Sequence, residues 1–427
     1  MRTSIHKIID NPIHFKQQLL VWSQSFREIV FLDSNDNEQI YSDFDLVLAV
    51  DAFTSLKTDY QNAFENLKQY QQTTADWLFG YLSYDLKNDV EPLSSNNFDG
   101  LHFPDLFFFQ PRKLFLLKGN QLEIQYLNVC DDEVSIDFEA ITAVQYSKSA
   151  SEPIPIAQRI SKENYIEKVN QMLQHIHRGD LYEANFCMEF FATNATINPL
   201  EKFLKLNDIS KPPFAVFFKN NTQFLLSASP ERYLKKERER LISQPIKGTA
   251  PRFLDSVKDE RSKFALALDP KERSENIMIT DLVRNDLSKT AQKGSVKVAE
   301  LCGIYSFLQV HQMISTITSK LDSKFNILEA IRTTFPMGSM TGAPKIAAIK
   351  IIEKLEETKR GLYSGAVGYI KPNNDFDFNV VIRSILYNQE KQYVSFSVGS
   401  AITSLSDPEK EYQECLLKAK AMLDVLG

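Results

Sequence analysis

Hydrophobic and polar positions follow two different patterns along the chain, and the change falls near residue 146. Before that point the apolar residues form short runs, such as 29–32, 46–50 and 107–109, which polar turns separate. Runs of this kind predict the strands of a mainly antiparallel sheet. The segment 147–157 combines prolines with small polar residues, which indicates an exposed connection. We therefore expect two regions, 1–146 and 158–427.

Helical periodicity appears in the second region. From Ile166 to Ile176 apolar residues recur every three or four positions, after a serine, Ser161, that can cap a helix. Gly179 can end this helix in a left-handed turn. Further helices are predicted for about 271–287 and from Pro408 onward, and strands for 181–191, 376–387 and 392–398. Because helices and strands do not alternate regularly, the pattern favours an α+β assembly over a doubly wound parallel sheet.

Composition narrows the classes of function. The 427 residues are 43% hydrophobic and 24% charged, which is enough for one large domain or two ordinary ones. A net charge of -6 provides no global basic field for nucleic acid or an anionic membrane. The four cysteines lie far apart without CxxC spacing, so neither a disulfide framework nor a zinc site is indicated. With no long apolar run and no signal-like N-terminus, we expect a cytoplasmic protein.

Each conspicuous polar residue of the second region has an ordinary explanation when it is taken alone. Lys247 could be a solvated lysine at a strand end, and Glu231 a residue in the first turn of a helix. Glu411 and Glu414 share one helical face and would normally be solvated. Glu275 could simply flank an apolar helical stretch. The loop 335–345 is glycine-containing but lacks both the GxGxxG and the GKS/T patterns.

Considered together and in order, these motifs indicate a known family. From residue 179 to residue 414 the chain resembles the chorismate-binding domain shared by anthranilate, aminodeoxychorismate, isochorismate and salicylate synthases. The resemblance rests on seven segments: 179–185, 229–232, 245–249, 281–287, 335–345, 363–369 and 382–383. Residues 31–34, 41–45 and 80–85 add weaker similarity to the same enzymes. The resemblance implies an anthranilate synthase component I-like fold, in which antiparallel β-sheets pack as a sandwich surrounded by helices. It also implies that 158–427 is the catalytic domain and that 1–146 is an N-terminal component I-like region.

The resemblance further implies the roles of individual residues. Chorismate is a dicarboxylate whose ring hydroxyl is a poor leaving group, so a proton or a metal must meet that hydroxyl as it departs. Glu231 matches the general acid of the family. Glu275 and Glu414 match ligands of Mg²⁺, and Glu411 would hold a metal-bound water. The implied substrate-binding residues are Gly248, Thr249, Tyr363, Arg383, Gly399 and Ser400.

Position 247 separates the reaction classes within the family. A lysine there is typical of the aminodeoxychorismate branch, which leads to p-aminobenzoate and folate, whereas the other branches usually have alanine. The implied mechanism is covalent: a neutral Lys247 amine attacks ring C2 as the C4 hydroxyl leaves, and ammonia then adds at C4 and expels the lysine. We expect burial or neighbouring positive charge to lower the pKa of Lys247.

Two further positions favour the same branch. Glu183 replaces a glutamine that is common in the family, and it stands where water-using isochorismate synthases carry a lysine base. Asn276 stands where anthranilate synthase has a histidine, so the step that expels pyruvate would lack that group. The loop after Val398 departs from the family pattern at Ala401 and Leu405, which lowers the expectation for its substrate contacts.

The source of ammonia must lie outside this chain, because we find no glutaminase segment with a nucleophile-elbow cysteine. The sequence thus predicts a separate glutamine amidotransferase subunit as partner, with no nucleic acid or membrane. Two alternatives stay open. One is anthranilate synthase component I, which uses the same ammonia and metal but eliminates pyruvate. The other is a catalytically silent chorismate-binding regulatory subunit, which the departures at Ala401 and Glu183 leave open.

Overall fold

Strands and helices follow one another without regular alternation. The computed structural model describes residues 1–37, 40–146 and 153–427. The strands are β1 (Arg2–Ile8), β2 (Glu28–Asp33), β3 (Leu46–Thr58), β4 (Leu78–Leu82), β5 (Leu106–Lys118), β6 (Gln121–Leu127), β7 (Ala157–Gln158), β8 (Glu183–Ala192), β9 (Phe214–Asn220), β10 (Gln223–Ser229), β11 (Arg232–Glu237), β12 (Arg240–Gln244), β13 (Ile246–Pro251), β14 (Lys297–Ser306), β15 (Val310–Lys320), β16 (Gly342–Ala343), β17 (Ala366–Ile370), β18 (Phe376–Val380), β19 (Ser384–Asn388) and β20 (Tyr393–Thr403). The α-helices are α1 (Pro12–Ser23), α2 (Ala63–Thr74), α3 (Lys87–Val90), α4 (Val134–Ala143), α5 (Lys162–Arg178), α6 (Pro199–Ser210), α7 (Ser256–Leu268), α8 (Pro270–Ser288), α9 (Ile327–Thr334), α10 (Lys345–Leu355) and α11 (Pro408–Leu426).

The strands join into one antiparallel hydrogen-bonded network that includes both predicted regions. Strand β2 pairs with β9, where Phe31 lies opposite Phe217, and β4 pairs with β17, where Gly80 lies opposite Gly368. The proposed division into 1–146 and 158–427 stays a prediction. Residues 147–152 of the predicted connection lie outside the described ranges.

The two largest apolar cores of the described residues lie on opposite faces of the sheet. In β2, Ile29 and Phe31 belong to one core while Val30, between them, belongs to the other. Such alternation is expected where a strand is buried on both faces, because successive side chains point in opposite directions. Helices α5 and α11 contribute to the core that contains Phe31, whereas α8 and α9 contribute to the core that contains Val30. The predicted α+β class, a sandwich of antiparallel sheet surrounded by helices, is confirmed.

Capping residues and apolar spacing in the sequence predicted the positions of helices α5, α8 and α11 correctly. Ser161 caps α5 by accepting a hydrogen bond from the Asn164 amide, and Gly179 ends it with φ 89°. Helices α8 and α11 also match their predicted positions. The single strand predicted for 376–387 is wrong, because the chain leaves the sheet between β18 and β19, where Arg383 has φ 52°. The break lets β18 pair with β11 and β17 while β19 pairs with β10 and β20.

The strands and helices that carry the polar motifs of the second region pack against one another. Strand β13 pairs with β15, and α8 packs against both. Strand β8 pairs with β20 along its whole length, and α11 packs against β20. Within the described ranges no helix is long and apolar enough to span a membrane.

Candidate active site

A buried ion pair lies at the centre of the site. The Lys247 Nζ atom is 2.9 Å from Glu183 Oε1, and the two side chains are only 11% and 1% exposed. Lys247 comes from β13 and Glu183 from the first position of β8. The interpretation of Lys247 as a solvated lysine is therefore wrong. Sequence reasoning noted Glu183 as a departure from the family but missed that it faces Lys247.

The expected lowering of the Lys247 pKa is also wrong. Burial lowers this pKa, but the negative charges of Glu183, Glu275 and Glu231 outweigh burial and raise it above its ordinary value. Lys247 is therefore an ammonium in the resting protein, and it must lose a proton before it can act as a nucleophile.

Glu231 immediately precedes β11, so it is not a residue of a helical turn. It is 4% exposed, and its Oε1 atom accepts a hydrogen bond of 2.5 Å from the Ser339 hydroxyl. Burial raises the pKa of Glu231 to about 7, although Ser339 and Lys247 both favour the carboxylate. Near neutral pH a large fraction of this group is a carboxylic acid that can donate a proton. No sequence spacing pointed to Ser339.

Carboxylates of α8 and α11 face each other around a lysine. Lys271 Nζ lies 3.7 Å from Glu275 Oε1 and 3.4 Å from Glu411 Oε1. Glu411 is only 2% exposed, whereas Glu414 is partly exposed and pairs with Lys418 at 2.6 Å. The expectation of a solvated Glu411 is therefore wrong. Lys271 precedes Glu275 by one helical turn, a spacing that could have indicated their contact.

These oxygens suit a hard divalent cation. Glu275 Oε1 and Glu411 Oε2 are buried and lack any hydrogen-bond partner in the described part of the chain. Buried carboxylate oxygens without donors are costly unless a cation compensates them, and carboxylates are the ligands that Mg²⁺ prefers. Across residues 1–37, 40–146 and 153–427, no group of three or more His, Cys, Asp or Glu side chains is already close enough to hold a metal. The chemical type of these oxygens suits the ion, while in this arrangement Lys271 supplies the local positive charge.

An unpaired guanidinium lies at the break between β18 and β19. The Arg383 side chain is partly buried and has no hydrogen-bond or ion-pair partner among the residues that the structure describes. Burial lowers the pKa of Arg383, while the charges of Tyr363 and Glu414 act in the opposite direction. Tyr363 is 4% exposed, and its hydroxyl oxygen accepts a weak hydrogen bond from Cys187 Sγ at 3.9 Å. A free planar fork of this kind can bind a carboxylate through two hydrogen bonds.

The backbone conformation at Gly248 and the close packing at Gly399 are sufficient to explain why glycine occupies these positions. Gly248 has φ 101°, a left-handed conformation that favours glycine. A Cβ atom on Gly399 would lie 2.6 Å from Cys187 Sγ on the neighbouring strand. The Ser400 hydroxyl is buried against Tyr165 at 3.0 Å, and Thr249 pairs with Gln312 in the sheet. Substrate contacts by Gly248, Thr249, Gly399 and Ser400 stay predictions.

The Asn276 side chain contacts the backbone of Lys247. Its Nδ2 atom donates to the backbone carbonyls of Lys247 at 3.1 Å and Met313 at 3.0 Å. Its Oδ1 atom accepts from the Ser315 hydroxyl and from Cys302 Sγ. Because this side chain is 2% exposed and bonded at both ends, it anchors the strand and offers no free base.

The site combines a guanidinium without a side-chain partner in the described ranges, a protonatable buried carboxyl, a buried lysine and acidic oxygens that lack hydrogen-bond donors. Residues 24–424 match the family of chorismate binding enzymes, and the chain belongs to that family.

Individual members of the family are similar to this chain over most of its length. The chloroplastic aminodeoxychorismate synthase of Arabidopsis thaliana is 33% identical over 83% of this chain and 41% of its own length. Aminodeoxychorismate synthase component 1 of Klebsiella aerogenes is 33% identical over 81% of this chain and 76% of its own length. This chain thus spans less than half of the first relative and about three quarters of the second. The anthranilate synthase component I structure from Streptococcus pneumoniae shares the fold, with a TM-score of 0.79 and 22% identity over 91% of this chain and 93% of that one.

Proposed function

We propose that this chain is the chorismate-aminating component of an aminodeoxychorismate synthase. It would convert chorismate and ammonia to 4-amino-4-deoxychorismate, for p-aminobenzoate and folate biosynthesis, through a covalent Lys247 intermediate. The observation that carries this proposal is the burial of Lys247 against Glu183, with the charges of Glu275 and Glu231 near enough to raise its pKa. The names of the relatives from Arabidopsis and Klebsiella support the same reaction.

Each residue has a distinct task in this mechanism. Arg383 binds one substrate carboxylate, and Tyr363 bounds the pocket beside it. Glu231 in its acid form gives a proton to the C4 hydroxyl, which then leaves as water. The Lys247 amine forms a bond to ring C2 in the same step. Ammonia then forms a bond to C4 and breaks the bond between C2 and the lysine, so that one difficult displacement becomes two easier ones.

We propose that Glu275 and Glu414 hold Mg²⁺ and that Glu411 orients one of its waters. The bound ion would supply positive charge for a substrate carboxylate. Magnesium at about 100 times its dissociation constant would stabilise the fold by ~2.7 kcal/mol. We therefore expect Mg²⁺ to raise the melting temperature of the wild type but not of Glu275→Gln, as followed by calorimetry without substrate. Glu409→Gln, an exposed change on α11, is the control, and an equal shift in all three proteins would contradict this metal site.

Ammonia would come from a separate glutamine amidotransferase subunit. We expect the isolated chain to form aminodeoxychorismate from chorismate, Mg²⁺ and ammonium salts, and to use glutamine only when that subunit is added. Mass spectrometry of the products measures both outcomes. Turnover of glutamine by the isolated chain would contradict the proposed partner.

The same product analysis separates this function from anthranilate synthesis. Forming the aromatic product requires removal of the C2 proton and loss of pyruvate, and Asn276 has no free atom to accept that proton. A fluorescent aromatic product from chorismate and ammonium would therefore contradict the proposal. A silent regulatory subunit would have little reason to keep Lys247, Glu231 and Glu275 buried together, since buried charged groups are costly.

A further inference from the structure

The Lys247 ammonium has one close acidic neighbour. Among the described residues, Glu183 is the only carboxylate within 4.0 Å of its Nζ atom. The position of Glu183 is fixed on both sides, because its backbone pairs with Ala343 of β16 and Thr403 of β20. Apart from the 2.9 Å contact with Lys247, neither oxygen of Glu183 has a polar partner in the described part of the chain. No other donor therefore competes with Lys247 for this carboxylate.

Other acidic groups are less suitable as acceptors. Glu231 already accepts a hydrogen bond from Ser339, and in the proposed mechanism it must arrive protonated to release the hydroxyl. Glu275 belongs to the proposed metal site. Glu183 has neither task, and it is closer to the lysine than either of them. Since Lys247 rests as an ammonium, covalent attack requires an acceptor at this position.

We propose that Glu183 takes a proton from Lys247 as the lysine attacks the ring, and returns it when the lysine is expelled. This inference rests on the proposed function. The first transfer turns an ammonium and a carboxylate into a neutral amine and a carboxylic acid. The amine bonds to C2 while the C4 hydroxyl departs as water with the Glu231 proton. When ammonia bonds to C4, the neutral lysine leaves and recovers its proton from Glu183. The C4 ammonium that results can return a proton to the ionised Glu231, so all three groups regain their starting states.

Proton transfer between Lys247 and Glu183 would give the rate a pH dependence that a purely structural role of Glu183 would not give. Lys247 and Glu183 together keep the same number of protons, so nucleophile formation does not depend on pH. A glutamine at position 183 cannot accept the proton, which must then pass to solvent, and the amount of free Lys247 amine should rise about tenfold per pH unit. The charged groups that face the lysine are Glu183 on β8, Glu231 before β11, Glu275 on α8 and Glu414 on α11.

The test isolates the first half of the reaction. Enzyme and chorismate are mixed with Mg²⁺ but without ammonia, and intact-protein mass spectrometry follows the adduct, which adds the mass of chorismate less one water. Between pH 6 and pH 7 we expect the wild-type rate to change by no more than about twofold. The Glu183→Gln rate should rise about fivefold, because a tenfold gain in free amine is partly offset as Glu231 loses about half of its acid form. Glu189→Gln, another buried glutamate of β8 paired with a cation, should behave like the wild type.

Parallel pH profiles for the wild type and Glu183→Gln would overturn the inference. Glu183→Asp retains a carboxylate at a longer distance, so its adduct should form at least about tenfold more slowly but with the flat profile of the wild type. Should Glu183→Gln fail to fold, an unchanged rate in Glu183→Asp would overturn the inference instead. Failure of the proposed function is distinguishable, because the wild type would then form no aminodeoxychorismate when ammonium is supplied.

Discussion

Replacing Lys247 with alanine is expected to lower the rate of chorismate amination by at least about 10³-fold, because the variant lacks the nucleophile of the covalent route. Substrate binding should change much less, since Arg383 and the proposed metal ligands are untouched. Mass spectrometry of product formed from chorismate, ammonium and Mg²⁺ measures the rate. The same instrument should find no covalent adduct on the variant.

Two controls separate this effect from damage to the fold. Lys247→Ala leaves Glu183 buried without a cation, and breaking a buried pair in this way costs about 3–5 kcal/mol of stability. The double variant Lys247→Ala with Glu183→Gln removes the stranded charge, so it should recover stability but not activity. Lys263→Ala, on the surface of α7, should keep full activity. An amination rate within about tenfold of the wild type in the double variant would remove Lys247 from the mechanism.

Sequence patterns predicted those elements whose signals are local. Helix α5 shows its cap, its apolar spacing and its terminating glycine within twenty residues, and all three are present in the fold. The break at Arg383 was not predictable in the same way, because apolar residues predominate on both sides of it and no glycine or proline marks it. The chain leaves the sheet there because β18 and β19 have different partners, and pairing with distant strands leaves no local signal.

The sequence likewise predicted which residues form the site, but it did not predict how their charges interact. Motif order indicated Glu231, Lys247 and Glu275, and the fold places their charges within reach of one another. What the sequence could not provide was the balance of charge around the lysine. Burial alone would lower its pKa, as expected, but Glu183 comes from a strand distant in sequence and reverses the direction. Electrostatic effects depend on distances in three dimensions, and no spacing along the chain encodes the 2.9 Å contact.

The reversed pKa changes the chemistry that the lysine needs. A lysine that rests as a neutral amine could attack directly, whereas an ammonium needs a base beside it. The resting pair also gives Glu231 a cationic neighbour, which favours its carboxylate, while burial favours its acid form and prevails. The site therefore holds two buried glutamates with different surroundings: Glu183 lies against the lysine, and Glu231 can donate a proton. Different environments for neighbouring carboxyl groups are typical of acid–base catalysis.

Glu231→Gln is expected to lower the amination rate by about 10²–10⁴-fold, because the amide cannot protonate the departing hydroxyl. The pH profile should change as well. Since the pKa of Glu231 is raised to about 7, the acid form predominates below that pH and is lost as the pH rises through it. The wild-type rate should therefore fall about tenfold per pH unit above about pH 7, with free ammonia held constant, whereas the residual rate of the variant should lack this fall.

Saturating Mg²⁺ is needed in this comparison, because burial also raises the pKa of Glu275 to about 7 and its titration would otherwise overlap. Ser339→Ala is a graded test of the same assignment. It removes the hydrogen bond that favours the Glu231 carboxylate, so the pKa should rise and the fall in rate should move to higher pH. A wild-type fall that persists unchanged in Glu231→Gln would assign the titration to another group and leave the hydroxyl without its proposed acid.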